Sequence, residues 1–238
     1  MSRKIAIIFG GSRGIGAACV EALAADDFDV AFTYVANPPS AGTSDARIKA
    51  YRAEITNPAD VAQVFAEVAS DFGGAPSCVV ANAGINVPPA PIAEFSHDNF
   101  RRLVEVNIVG AFNIFREAAR QVADGGTIIA VSTSLVRVAA PGLGAYSATK
   151  AAVECMVRSM SKELAARGVR VNAVAPGPVD TDLFRAGKTE DALKRSAAMS
   201  PFNRVGQPHE VAEVVRFLAS DRASWMHGQV VQPNGGLI

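Results

Sequence analysis

Five apolar residues, Ile5-Ala6-Ile7-Ile8-Phe9, run straight into Gly10-Gly11-Ser12-Arg13-Gly14-Ile15-Gly16. An unbroken apolar run of this length reads as a strand buried on both faces, the habit of parallel sheets. Parallel neighbours need a long crossover connection, usually a helix. The glycines mark a tight turn from that strand into a helix over residues 15–25. The segment therefore commits this end of the chain to a βαβ plan. It also lets backbone approach a pyrophosphate, whose charge would rest on the helix N-terminus. Gly10, Ser12, Arg13, Gly14, Ile15 and Gly16 are accordingly candidate dinucleotide contacts.

The rest of the chain repeats the alternation. Strands are predicted at residues 30–34, within 48–55, and at 78–81, 127–132, 169–175 and 229–231. Helices are predicted at 58–72, 98–123, 146–167 and 208–220, and a loop at 37–42. Strictly alternating strands and helices predict an α/β fold: one doubly wound parallel sheet with helices on both faces. With 238 residues and no shift in composition, a single domain over residues 1–238 is expected. The 23 basic residues balance 23 acidic ones without any like-charge block, so neither nucleic acid nor an anionic membrane is an expected partner. No apolar run approaches the ~20 residues that span a bilayer. No signal segment is visible before the first strand. Cys19, Cys78 and Cys155 are widely spaced and are expected to be reduced, mostly buried thiols of a cytoplasmic protein. His97, His209 and His227 lack metal-ligand spacing, and no metal site is expected.

Tyr146 and Lys150 stand four residues apart. On a helix both side chains share one face. An ammonium beside a phenol stabilises the phenolate and lowers its pKa from about 10 toward neutrality. Such a phenol can exchange a proton with a substrate oxygen.

Several separated motifs now stand in order. They are the Gly10, Gly14 and Gly16 spacing, Asn82-Ala83-Gly84 after the fourth strand, Asn107 in the next helix, Tyr146 with Lys150, and Pro176-Gly177 after the sixth strand. Over essentially its full length the chain resembles the short-chain dehydrogenase/reductase family. The resemblance is nearest to the 3-oxoacyl-carrier-protein reductase and hydroxynaphthalene reductase branch. It implies that Tyr146 is the general acid or base. Lys150 would bind the nicotinamide ribose and tune Tyr146, and Asn107 would join a water relay. A hydroxyl at the end of the fifth strand would orient the carbonyl. Ser132-Thr133-Ser134 offers three. The family's usual spacing to tyrosine selects Thr133, a loop longer by one residue selects Ser132, and Ser134 is third. The resemblance also brings Asn82, Ala83, Gly84, Pro176, Gly177, Val179 and Thr181 to the cofactor, and Glu54-Ile55 to its adenine. Phe9 and Ala81 replace a Thr and an Asn common in the family; Phe9 reads as core.

A carboxylate at the end of the second strand would bind a ribose 2′-hydroxyl and repel a 2′-phosphate. That strand here ends in Tyr34-Val35-Ala36-Asn37, without an acid. Arg13 is placed to pair with a phosphate, and Asn37 and Ser40 are further donors. NADP(H) is therefore expected over NAD(H).

Residues 182–207, punctuated by Gly187, Pro201 and Gly206, are expected to form a short helical lid. Leu183, Phe184, Met199 and Phe202 would line an apolar pocket, and Lys188, Lys194, Arg195 and Arg204 would meet an acidic carrier or phosphate. The expected activity is NADP(H)-dependent hydride transfer between nicotinamide and a carbonyl or alcohol, most simply a 3-oxoacyl thioester or another ketone. The alternatives are a non-catalytic NADP(H)-binding sensor or scaffold, and an NAD-dependent sugar or steroid alcohol dehydrogenase. The resemblance further implies a homotetramer paired through residues 98–123 and 146–167, with residues 231–238 at a second interface.

Overall fold

The apolar runs become seven parallel strands of one sheet, in the spatial order β3-β2-β1-β4-β5-β6-β7. The computed structural model describes residues 3–36 and 45–238. The predicted loop at 37–42, with Asn37 and Ser40, lies outside the described residues. Along the chain come β1 (Ile5–Phe9), α1 (Gly14–Ala25), β2 (Asp29–Tyr34), β3 (Ile48–Arg52), α2 (Pro58–Phe72) and β4 (Cys78–Ala81). Then follow α3 (His97–Val104), α4 (Ala111–Gln121), β5 (Thr127–Val131), α5 (Leu135–Val138), α6 (Gly144–Glu163) and β6 (Arg170–Val174). Last are α7 (Asp182–Arg185), α8 (Glu190–Ala198), α9 (Pro208–Ala219) and β7 (Val230–Val231).

Strand periodicity divides the core in two. Ile7 and Phe9 of β1 face the layer of α2, α4 and α6, where Phe65, Phe115 and Val157 lie. Ala6 and Ile8 face the opposite layer, built on Leu23 of α1 and Leu218 of α9. Phe9 is core, as expected, its ring 5.9 Å from that of Phe65. The strand order reverses between β1 and β4, where Ile8 pairs with Phe32 on one side and Val80 on the other. Ligands of open α/β sheets bind at the carboxyl ends of the strands beside such a switch point. All the candidate motifs except Glu54-Ile55 gather around that crevice or the neighbouring ends of β5 and β6.

One expectation is refined. The long helical stretch predicted over 98–123 is present, but α3 and α4 run into each other through a wider, π-helical turn over Glu105–Gly110. Its cause is tertiary. Asn107 in that turn is held by Ile85 backbone, and at Gly110 a Cβ would stand 2.6 Å from Ile55 Cδ1. Most of the thiols are buried, as expected: burial pushes Cys19 and Cys78 up to about 12, and Cys155 is exposed. His227 has a structural role, accepting the Val171 N–H at 3.2 Å and touching the Ser161 carbonyl across to α6. Among the described residues no helix is long and apolar enough to cross a membrane.

Candidate active site

Gly10 ends β1 in the left-handed region, φ +79°, where only glycine is unstrained. Its N–H donates to Thr33 Oγ1 at 2.9 Å, and the Gly11 N–H to the Thr33 carbonyl at 3.0 Å, so β2 anchors the turn. Asn82 Nδ2 donates to the Gly10 carbonyl at 2.8 Å and ties it to the end of β4. A Cβ on Gly16 would lie 2.0 Å from the Gly10 oxygen and 2.6 Å from Asn82 Nδ2. The N-terminus of α1 has Arg13 at its cap position in extended backbone, no side-chain cap and no acid in the first turn. Its amides therefore remain available to an anion. The Thr181 methyl stands 3.2 Å from where a Gly14 Cβ would be, bringing the start of α7 to the same place. This cradle, which side chains would fill, fits the pyrophosphate of a dinucleotide. Gly16→Ala is expected to cost about 1–3 kcal/mol by overpacking and to weaken dinucleotide binding. A thermal midpoint lower by roughly 3–8 °C, read by circular dichroism, is the check.

Gly84 links this cradle to the α6 residues. A Cβ there would lie 3.1 Å from Asn107 Oδ1 and 3.4 Å from Lys150 Nζ, so the two polar ends flank one glycine. Asn107 is 1% exposed, and a buried amide must be satisfied. Its Oδ1 accepts from Ile85 N–H at 2.9 Å; its Nδ2 donates to the Ile85 carbonyl at 2.9 Å and to Thr149 Oγ1 at 3.2 Å. The π-helical turn is what swings it there, and such turns recur at functional sites.

Tyr146 and Lys150 do lie one turn apart near the start of α6. The expected coupling of their titrations is corrected. Burial alone raises the Tyr146 phenol to about 12. Burial alone also lowers the Lys150 ammonium to about 8, and its Nζ donates to the Val131 carbonyl at 2.8 Å, at the end of β5. Desolvation therefore sets both groups here, and Tyr146 is held as a neutral phenol.

The structure separates the three hydroxyls by their partners. Ser132 Oγ donates to Glu154 Oε1 at 2.7 Å, and Ser134 Oγ to the Ala175 carbonyl at 2.8 Å. Thr133 Oγ1 instead accepts the Leu135 N–H at 3.3 Å, which leaves its proton undirected.

Other candidates are placed less directly. Ile55 is core, 3% exposed, and Val179 is 6% exposed, so only their backbones can meet a ligand. The Glu54 N–H is already given to Asp60 Oδ2 at 3.0 Å. Pro176 and Gly177 form the turn after β6, joined to Ser134 N–H and to the Pro233 carbonyl. Arg13 is exposed beside the cradle. Sequence reasoning missed Arg52, which pairs in register with Tyr34 and sends its Nε to the Val35 carbonyl at 3.3 Å. Strand alternation puts it on the α1 side with Ile48 and Ala50, at the end of β2, and was a usable signal.

Residues 182–207 hold α7 and α8, pinned by a parallel bridge between Val179 and Gly206. Leu183, Met199 and Phe202 expose 45%, 43% and 72% of their surfaces, a partly exposed apolar set. Arg204 is committed to Glu210 in a bidentate pair at 2.6 and 2.8 Å. Lys188 folds back onto Phe184, its Nζ 4.0 Å from the ring centre.

Comparison with known proteins agrees with this geometry. The family model described as enoyl-(acyl carrier protein) reductase matches residues 10–238. A short-chain type dehydrogenase/reductase of Picea abies is 39% identical over 99% of this chain and 92% of its own. An Arabidopsis thaliana protein named NADPH-dependent aldehyde reductase-like protein, chloroplastic, is 36% identical over 100% of this chain and 95% of its own. A short-chain dehydrogenase from Burkholderia cenocepacia, solved in complex with NADP, superposes with a TM-score of 0.87 at 31% identity, covering 98% of this chain and 97% of that one. With sequence motifs, sheet order and site geometry in agreement, the chain belongs to the short-chain dehydrogenase/reductase family of oxidoreductases.

Proposed function

We propose that the protein is an NADPH-dependent reductase of small, apolar aldehydes or ketones, with Tyr146 as proton donor and Thr133 as the hydroxyl that orients the substrate oxygen. The observation that carries this reading is the placement of Tyr146 one helical turn from Lys150 on α6, whose Nζ reaches the Val131 carbonyl at the end of β5 beside the three hydroxyls. A protonated phenol suits the reductive direction, in which an oxygen gains a proton.

The bound nicotinamide supplies the hydride; the chain binds, orients and protonates. Gly10, Ser12, Gly14, Ile15 and Gly16 would hold the pyrophosphate. The backbone at Glu54 and Ile55 would meet the adenine. Asn82, Ala83, Gly84, Lys150, Pro176, Gly177, Val179 and Thr181 would hold the nicotinamide half. Arg13 and Arg52, with no acid at the end of β2, favour a 2′-phosphate, and the names of the Arabidopsis and Burkholderia relatives support the same choice. Thr133 donates its free proton to the substrate oxygen, Tyr146 delivers the proton that completes the alcohol, and Asn107 fixes the backbone beside Lys150.

Residues 182–207 form a lid over an apolar pocket. With Arg204 paired and Lys188 folded back, a free carbonyl compound suits this surface better than an acyl carrier. Exposed Phe100 and Phe112, on α3 and α4, support assembly as a homotetramer through those helices. Three free thiols fit the reducing cytoplasm.

Calorimetric titration with NADPH and NADH, then a panel of aldehydes and ketones followed by NADPH consumption, tests the proposal. NADPH is expected to bind at least about 10-fold more tightly, the worth of one charge-assisted contact. Tight NADPH binding without turnover on any carbonyl would make the protein a sensor instead. Preference for NADH would overturn the cofactor assignment.

A further inference from the structure

Behind Thr133 lies an ion pair, its carboxylate buried and its guanidinium reaching the surface, that the reaction itself does not use. Glu154 on α6 is 2% exposed, and its carboxylate is taken end-on by Arg137 of α5: Nη1 donates to Oε1 and Nη2 to Oε2, both at 2.9 Å. The same Oε1 accepts the Ser132 hydroxyl at 2.7 Å. Tyr146, Lys150 and Glu154 follow one another at four-residue steps, so they form one stripe along α6. That stripe grips consecutive residues at the end of β5, Lys150 holding the Val131 carbonyl and Glu154 the Ser132 side chain. Arg137 closes the loop from the far side, and its own N–H donates to the Ser134 carbonyl at 2.9 Å. Thr133 is thus clamped between two fixed neighbours.

Such a half-exposed ion pair is weak support for stability, because desolvation of the carboxylate and solvent screening of the arginine offset most of its attraction. Positioning is the better account of why the Glu154 carboxylate is buried here. We propose that Glu154, Arg137 and Ser132 are positioning residues. Glu154 accepts the Ser132 hydroxyl's hydrogen bond, and Arg137 locks Glu154 and the following turn. The Thr133 hydroxyl is then the one donor in the Ser132-Thr133-Ser134 run aimed at the substrate oxygen. This rests on the Thr133 role proposed above.

A double-mutant cycle tests it on the full-length protein. Glu154→Gln keeps an acceptor for Ser132 but loses the charge that fixes Arg137. It is expected to lower kcat by about 10-fold or more, with KM for the carbonyl and Kd for NADPH within about threefold. In a Thr133→Val background the same change is expected to cost less than about twofold, because the group it positions is already gone. Equal losses in both backgrounds, or an unchanged kcat in Glu154→Gln, would overturn the inference and leave the Thr133 role standing. Full turnover in Thr133→Val alone would sink that role, and this inference with it. If Glu154→Gln does not fold, Arg137→Lys is put through the same cycle. It keeps a cation beside Glu154 but loses the two-point grip.

Discussion

Tyr146→Phe is expected to lower kcat for carbonyl reduction on the order of 10³-fold, the usual worth of a positioned general acid. Affinity for NADPH should stay within about twofold and the thermal midpoint within about 1 °C, since no packing volume and no hydrogen-bond partner among the described residues is lost. The substitution removes one oxygen and keeps the ring. Among the described residues no hydrogen bond or charge accompanies burial as a cause of the raised phenol pKa, so none of these is lost with that oxygen. A selective loss of kcat would therefore report the proton alone. Because the phenol titrates near 12, it stays protonated well above neutrality, and reduction by the wild type should show no limb from Tyr146 ionisation below about pH 10. Stopped-flow turnover of wild type and variant over that range is the measurement. A variant with wild-type kcat would remove Tyr146 from the mechanism.

What could be read from the chain in advance was local. The strand at Ile5–Phe9 and the glycine turn after it declare themselves within a dozen residues, and strand periodicity already sorts Ile7 from Ile8. The four-residue step from Tyr146 to Lys150 is equally local. The partners of those side chains are not. Nothing near Lys150 in sequence announces the Val131 carbonyl, so the expectation that its charge acts mainly on Tyr146 missed the larger effect of burial. The wider turn at Asn107 was hidden for the same reason. Residues 98–123 carry an unbroken helical pattern, while Ile55 and Ile85, which require the wider turn, come from other elements. Ser132, Thr133 and Ser134 are chemically alike in the sequence, and their roles separate only through Glu154, Leu135 N–H and the Ala175 carbonyl.

Lys150→Met should separate function from stability. Turnover is expected to fall about 100-fold or more, because the group proposed to hold the ribose beside the proposed proton donor is gone. Stability should respond differently. Lys150 is 6% exposed, and its pKa of about 8 lies below the ordinary 10.5. The folded chain therefore releases this proton before the unfolded chain does. Between those two values the unfolded state binds more protons, so stability rises with pH across that window. Below it the buried ammonium costs about 3 kcal/mol, the shift expressed as free energy. Methionine removes that cost but also forfeits the hydrogen bond to Val131, worth about 1 kcal/mol. At neutral pH the variant should accordingly match or exceed wild type by up to about 2 kcal/mol. From about pH 7.5 to about pH 9.5 wild type should regain about 2 kcal/mol relative to the variant. Urea unfolding of both proteins at the two pH values measures the difference directly and cancels the other titrating groups. A variant less stable than wild type by the same margin at both would mean that Lys150 is a structural cation rather than a charge buried for the sake of the reaction.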